Sequence, residues 1–306
     1  MRFAISIPQH FPDGTFSSSA FRIYMTRAEA LGFESAWTGE QVIGAMPHLS
    51  PIETMTYAAA CTERLRIGCV VFVMPLHSPL HLAKSIATLD QLSRGRLEVG
   101  VGAGGRTRMF SAFGVDPKSF VARFTEGLLL MKTLWTEPRV TFKGRFWQLD
   151  GAAMEPKPFQ KPHPPIWFGG SHPDALRRAV VHGNGFFGAG SQTTAQFAQQ
   201  VRVVREALAE QERAPAGFRI AKRVYVAVDR DADRAAQRVS TALDQQYGFF
   251  GLRGLTPVAV FGPPEACIRG LQEVADAGAE MILLNPLFDD LDQMEWLAAE
   301  VVPFIK

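Results

Sequence analysis

Two glycine-bearing segments are the first places in this chain where residue type and spacing could do chemistry. Gly100, Gly102 and Gly105 satisfy G-x-G-x-x-G after an apolar run, the spacing at which backbone amides approach a pyrophosphate. A dinucleotide-binding fold carries that fingerprint in its first βαβ unit, with an acidic residue at the end of the second strand about 20 positions on. Here the glycines follow the fourth run and Asp116 falls in a loop, so they read as tight-turn residues whose backbone can also pass close to a cofactor. Gly169, Gly170 and Ser171 stand between the run Ile166 to Phe168 and a helical pattern. Their amides and hydroxyl suit a phosphate at the positive end of a helix dipole; the same segment also reads as an ordinary turn capped by Ser171 or Asp174.

Other chemistries have less to stand on. His77 and His81 are four apart but lack the Glu of H-E-x-x-H, and Pro79 puts His77 ahead of the helix, so no metal site is expected. Cys61, Cys69 and Cys267 are odd in number and without C-x-x-C spacing, which argues against a disulfide framework and a thiolate zinc site and for a reducing compartment. No G-x-S-x-G elbow supports a hydrolase. Glu40 and Gln41 end an otherwise apolar run, where they are either a polar pair aimed at a substrate or heterocycle, or solvated loop residues.

The elements that must position these residues alternate. Apolar or β-branched runs at Arg2–Pro8, Glu34–Thr38, Arg66–Met74, Arg96–Gly100, Ile166–Phe168, Gly185–Gly188, Arg219–Val228 and Met281–Asn285 read as eight strands. Helical periodicity fills the intervals: Ser17–Leu31, Ile52–Glu63, Leu80–Leu92, Phe120–Trp135, Asp174–His182, Thr194–Gln211, Ala232–Gln246, Pro264–Ala277 and Leu291–Phe304. Strand and helix in turn predict a parallel sheet with right-handed crossovers, closed most simply as a (β/α)8 TIM barrel of the α/β class. Residues 1–306 read as one domain, with an insertion over about 104–165 that includes a two-strand excursion near Lys143-Gly144, and a long loop over about 246–262. On a barrel, chemistry belongs to the loops after the strand C-termini, which selects Gln9 and His10, Gly39 to Gln41, Pro75 to His77, Gly102 to Arg108, Gly169 to His172, Ala189 to Thr193, Asp229 to Asp231, and Asn285 with Pro286.

Composition closes off whole classes. With 306 residues, 47% hydrophobic and 20% charged, the chain is an ordinary globular protein rather than a disordered or fibrous one. Its 32 basic and 30 acidic residues give a formal charge of +2, which supplies no general attraction to nucleic acid or an anionic membrane. No apolar run reaches bilayer length and none resembles a signal h-region, so a cytoplasmic location is expected.

Several long, ordered segments resemble the luciferase-like monooxygenase superfamily, flavin and coenzyme F420 (deazaflavin) enzymes on a TIM barrel. They are Thr62 to Gly68, Pro79 to Lys84, Leu89 to Leu97 running into Gly100 to Gly104, Pro156-Lys157-Pro158 with Pro164 to Gly170, and Ala277-Gly278-Ala279. The likeness is strongest to the actinobacterial F420-dependent oxidoreductases, and Arg makes up 24 of the 32 basic residues, as GC-rich genomes tend to encode. In that branch the second strand ends in an acidic residue followed by His; here Glu40 matches and Gln41 departs. Gln does not titrate near neutral pH, so His10 at the end of the first strand is the candidate for proton transfer, its alternative being a loop histidine bonded to backbone.

The resemblance further implies a bulge with a non-prolyl cis peptide at Cys69-Val70 or Val70-Val71. Val70, Val71 and Val73 would then lie under the cofactor ring, Gly102, Ala103 and Gly104 beside it, and Gly169, Gly170, Ser171, Gly188 and Gly190 near the ribityl phosphate. Arg106, Arg108, Arg177 or Arg178 would meet an anionic tail. The implied activity is hydride transfer between the deazaflavin and a small organic substrate, made apolar by Phe11, Phe16, Phe110, Phe249 and Phe250. The alternatives are a reduced-FMN-dependent monooxygenase served by a cofactor-reducing partner enzyme, and a catalytically silent F420-binding protein, the latter motivated by Gln41. Members often pair as homodimers through the early barrel helices, here Ile52–Glu63 and Leu80–Leu92.

Overall fold

The computed structural model describes residues 1–11, 14–104, 110–248 and 251–306. Its strands β1 (Arg2–Ser6), β2 (Ser35–Thr38), β3 (Arg66–Val73), β4 (Leu97–Gly102), β7 (Ile166–Gly169), β8 (Gly185–Gly188), β9 (Arg219–Val228) and β11 (Met281–Pro286) are the eight runs read from the sequence. Each pairs in parallel with the next, and β11 returns to β1, so the sheet closes on itself. Helices α1 (Ser18–Ala30), α2 (Pro51–Cys61), α3 (Pro79–Leu92), α4 (Phe120–Thr136), α5 (Pro173–His182), α6 (Thr194–Glu210), α7 (Ala232–Tyr247), α8 (Pro264–Asp276) and α9 (Asp290–Trp296) accompany them. The result is a closed eight-strand parallel barrel with interleaved helices, a (β/α)8 barrel of the α/β class.

The barrel interior is filled by a few large rings set against small residues. Trp37 packs edge to face on Trp167 and Phe187, which tilt against each other, at 5.0–5.9 Å, with Ala4, Ala221, Met281 and Leu283 around them. A Cβ on Gly68 would stand 2.4 Å from the Trp37 ring, and one on Gly185 would stand 2.6 Å from Trp167, so each glycine cedes volume to an indole. Both indoles are also polar-satisfied: Trp37 Nε1 donates to Ser35 Oγ at 2.8 Å and Trp167 Nε1 to Glu98 Oε2 at 2.6 Å. This plug closes the barrel floor and leaves the mouth above it for ligands.

Of the two longest connections, one differs from expectation. Within 104–165, α4 packs on α3, and the two-strand excursion is the antiparallel pair β5 (Val140–Lys143) and β6 (Gln148–Ala152). Glu126 of α4 ties down its turn by accepting from the amides of Arg145, Phe146 and Trp147. The expected loop over 246–262 contains a further strand, β10 (Val260–Gly262), parallel to the last residues of β9. Three residues are too few to show a period, and their pairing with β9 is a tertiary event.

Candidate active site

β3 begins as a regular strand and then slips its register against β4 between Cys69 and Phe72, with a cis peptide at Val70-Val71. The bulge needs space. A Cβ on Gly100 would stand 2.0 Å from the Cys69 carbonyl oxygen, and Cβ atoms on Gly102 and Gly169 would stand 2.7 and 2.9 Å from the two γ-methyls of Val71. The Val71 side chain therefore occupies room left by two glycines on neighbouring strands, and Val70 and Val71 form the floor of the mouth.

A cavity of about 830 Å³ opens above this floor. Its lining includes Val70, Val71, Gly102, Ala103, Gly104, Gly169, Gly170, Ser171, Gly188 and Gly190 from four strand ends, with Arg178, Tyr225 and Tyr247 at its sides. The glycines offer backbone with no side chain in the way; Gly170, at φ 146°, holds a conformation that other residues rarely adopt. Val73 sits behind Gly104 rather than in the lining: its Cγ1 is 2.8 Å from where a Gly104 Cβ would be. Ser171 is exposed, and α5 is capped by His172, whose Nδ1 accepts from the Asp174 amide at 3.2 Å, instead of by Ser171 or Asp174. Arg177 faces Glu210 at 3.8 Å; Arg106, Arg108, Phe249 and Phe250 lie outside the described residues.

The loop after β8 is held from inside the barrel. Lys222 of β9 is buried and donates from Nζ to the carbonyls of Ala189 and Gln192, both at 2.9 Å, bracketing Gly190. Burial pulls its ammonium pKa down to about 8. Lys222→Met removes both bonds and the charge beneath this loop. The expected result is a cofactor affinity lower by about tenfold (~1.4 kcal/mol). Wild-type affinity for an anionic cofactor falls as pH rises through 8 and the ammonium is lost, whereas the variant shows no such dependence in the same titration.

A second cavity of about 590 Å³ adjoins the first, sharing Val70 and Arg223. It is lined by His10, His48, Arg223, Asn285 and Asp290 against Ile7, Trp37, Met46 and Leu283. Gln9 builds its rim: the buried side chain donates to the carbonyls of Gly39 and Leu49 and accepts from the Gly39 amide, lacing the loop after β1 to the loop after β2. An antiparallel bridge between His10 and His48 follows, with the imidazoles 4.4 Å apart. Neither ring's buried Nδ1 has a hydrogen-bond partner. Burial, then His48, then Arg223 pull the His10 pKa down from 6.5 to about 4, and burial likewise lowers that of His48, so His10 is neutral at pH 7. The carboxyl of Asp290 is pushed up to about 6 by burial and by Asp289.

The other sequence candidates sit elsewhere. Glu40 has a buried carboxylate whose Oε2 accepts from the Val73 amide at 2.6 Å and whose Oε1 lies 2.7 Å from His77 Nε2, so it ties the end of β3 to the turn before α3. Gln41 folds over Gly44 in its own loop, where a Cβ would collide with its amide, and lines neither cavity. Glu40→Ala strands the Val73 amide and costs about 2–4 kcal/mol, read as a lower Tm. Glu40→Gln, which keeps one acceptor for that amide, retains more of the stability. Phe110 is buried against Phe120, while Phe11 and Phe16 join Phe21 and Tyr57 outside both cavities. Phe11, Phe16 and Phe110 therefore do not line the His10 cavity, whose apolar wall comes from Ile7, Trp37, Met46 and Leu283 instead. Cys69 is an inert thiol, its pKa raised by burial and by Glu40. Among the described residues no cluster of His, Cys, Asp or Glu is suited to a metal ion, and no helix is long and apolar enough to cross a membrane.

Sequence reasoning missed His48, Arg223 and Asp290. His48 stands in the loop after β2, on the face that barrel logic selects but beyond Gln41, where the reading stopped. Arg223 directly follows Lys222 in β9 and looks like a surface residue until the barrel closes around it.

Known proteins supply relatives of two kinds. The chain is 26% identical to the F420-dependent glucose-6-phosphate dehydrogenase of Amycolatopsis mediterranei, across 92% of this chain and 93% of that one. It is 32% identical to the FMNH2-dependent dimethylsulfone monooxygenase of Pseudomonas putida, across 47% of this chain and 41% of that one. The chain spans about half the length, or less, of several of the curated relatives it matches. An F420-dependent secondary alcohol dehydrogenase crystallised with an F420-acetone adduct shares the fold, with a TM-score of 0.84 at 20% identity over 100% of this chain and 99% of that one. The family model for luciferase-like monooxygenases matches residues 1–281, and the chain belongs to that family.

Proposed function

We propose that the protein is an F420-dependent oxidoreductase that transfers hydride between the deazaflavin and a small organic substrate held beside His10. The carrying observation is the junction of the two cavities at Val70 and Arg223: one is walled by glycine backbone and the other by titratable side chains, and a ligand in each would meet there. The first fits a flat ring with a phosphorylated chain, since it offers an apolar floor, glycine backbone without side chains at Gly169, Gly170 and Gly190, and Arg178 for an anionic extension. Bound there, the deazaflavin supplies a carbon centre that accepts or donates hydride. The bulge at Val70 and Val71 orients the ring, and Lys222 holds the loop over its chain. His10, neutral at pH 7, accepts the proton of a substrate hydroxyl in the oxidative direction and returns it in the reductive one.

The deazaflavin is favoured over FMN because kinship to an F420-dependent enzyme runs along nearly the whole chain, whereas the FMN-dependent relative aligns with under half of it. Titration of the purified protein with F420 and separately with FMN, followed by fluorescence and ultrafiltration, tests this. Micromolar or tighter binding of F420 with weak FMN binding is the expected result. The reverse makes the protein a reduced-FMN monooxygenase dependent on a partner reductase. F420 binding without turnover on any alcohol or carbonyl compound makes it a silent binder, and then restoring histidine with Gln41→His gains nothing, since position 41 does not line either cavity.

A further inference from the structure

Arg223 carries a charge that nothing in the described protein neutralises. It rises from β9 into the wall between the two cavities, and no described carboxylate lies within ion-pairing distance of it. Its hydrogen bonds are to neutral groups: Nε donates to Asn285 Oδ1 at 2.6 Å, and Asn285 is itself fixed by donating to the Pro286 carbonyl at 2.8 Å. The guanidinium also lies 5.3 Å from the Tyr225 ring. Asn285 thus orients the fork through Nε, and its other hydrogen-bonding partner, Tyr247 on the side of the larger cavity, is a neutral phenol, so no anion among the described residues meets the guanidinium. An unpaired charge in such a place costs stability, and an apolar residue of similar volume would cost less. Arginine is retained at that cost where an anion arrives with the ligand.

We propose that Arg223 is the anion anchor of the His10 cavity and that the substrate is a small monocarboxylate with an apolar body. This rests on the reading that the His10 cavity holds the substrate. A planar carboxylate matches the guanidinium fork in two parallel bonds. A phosphoryl group, with nearly twice the charge, would call for a second cation, and the cavity has none: His10 and His48 are neutral, and Arg238 at the rim is already paired with Asp289 at 2.6 Å. Ile7, Trp37, Met46 and Leu283 account for the apolar body, and a volume of about 590 Å³ limits its size. With the carboxylate on Arg223, the remainder of the molecule faces both imidazoles and the edge of the neighbouring cavity.

Benzoate and benzamide, equal in shape and different in charge, are the probes, and fluorescence of the cavity-lining Trp37 is the readout. Wild-type protein is expected to bind benzoate at least about tenfold more tightly, as one charge-assisted pair provides. Arg223→Met abolishes that preference and leaves Tm equal or higher; Arg223→Lys, which keeps the charge without the fork, retains only part of the preference. Equal binding of the two probes by the wild type overturns the inference, without recourse to any variant. A preference that survives in Arg223→Met overturns it too, as does a variant that loses cofactor affinity but keeps the preference, which would give the guanidinium to the cofactor. The F420 titration is read separately: a protein that prefers benzoate yet binds neither F420 nor FMN keeps the anion anchor and loses the proposed oxidoreductase function.

Discussion

Gly102→Val raises the dissociation constant for the cofactor by at least about a hundredfold, some 2.7 kcal/mol, in a protein that still folds. The cause is Val71. Its two γ-methyls already sit where Cβ atoms on Gly102 and Gly169 would fall, at 2.7 and 2.9 Å. A β-branched side chain is restricted at χ1, and both γ-methyls of Val71 are hemmed by glycines, so an added carbon on Gly102 pushes on the bulge. The bulge is the floor of the larger cavity, so a displaced Val71 moves toward the ligand's space. Ultrafiltration retention of F420 measures the loss, and the melting temperature confirms that the barrel persists. Gly102→Ala with Val71→Ala provides the internal check: trimming Val71 returns the room, so the pair binds more tightly than Gly102→Ala alone, a coupling that a generally damaged barrel would not show. Undiminished F420 binding by Gly102→Val would detach the bulge from cofactor recognition.

The same crowding explains how much of the molecule was legible in its sequence. The eight barrel strands were, because each is a buried apolar run bounded by turn residues and separated by helical periodicity. β10 was not, since Val260 to Gly262 gain strand character only by lying against the end of β9. In the larger cavity the glycines could be found because their spacing records where backbone must come close. The smaller cavity was legible only in part. His10 follows directly from the end of β1, but Arg223 and His48 come from segments 175 residues apart and acquire meaning only when Gln9 laces two loops together and the barrel brings β9 alongside. Glu40 shows the opposite failure: a carboxylate at a strand end invites a chemical reading, yet its two oxygens are spent on Val73 and His77. Sequence gives the residue type at a strand end but not which side of the turn it faces.

His10→Gln lowers kcat by about 10²–10³-fold with a much smaller change in cofactor affinity, the usual cost of removing a positioned proton acceptor. Its pH signature separates this role from a packing role. The neutral imidazole is the working form, and with a pKa of about 4 it is fully present at pH 7, so the wild-type oxidative rate shows no His10-dependent fall near pH 6.5 and declines only toward pH 4. His48 and Arg223 are two of the causes of that depression, after burial. His48→Gln removes one of them and moves the acid limb upward, toward but not to 6.5. Stability follows the same groups with a definite sign. Between pH 6.5 and about 4 the unfolded chain takes up a proton at position 10 that the folded chain refuses, so stability rises with pH across this window and is lost on acidification. The contribution is at most about 3 kcal/mol, reduced by water in the cavity. A His10→Gln protein that retains wild-type kcat would remove His10 from the chemistry, and one whose melting temperature falls between pH 6.5 and 4 as steeply as the wild type's would remove it as the source of that loss, which Asp290 does not explain, since a carboxyl raised to about 6 gains stability on acidification.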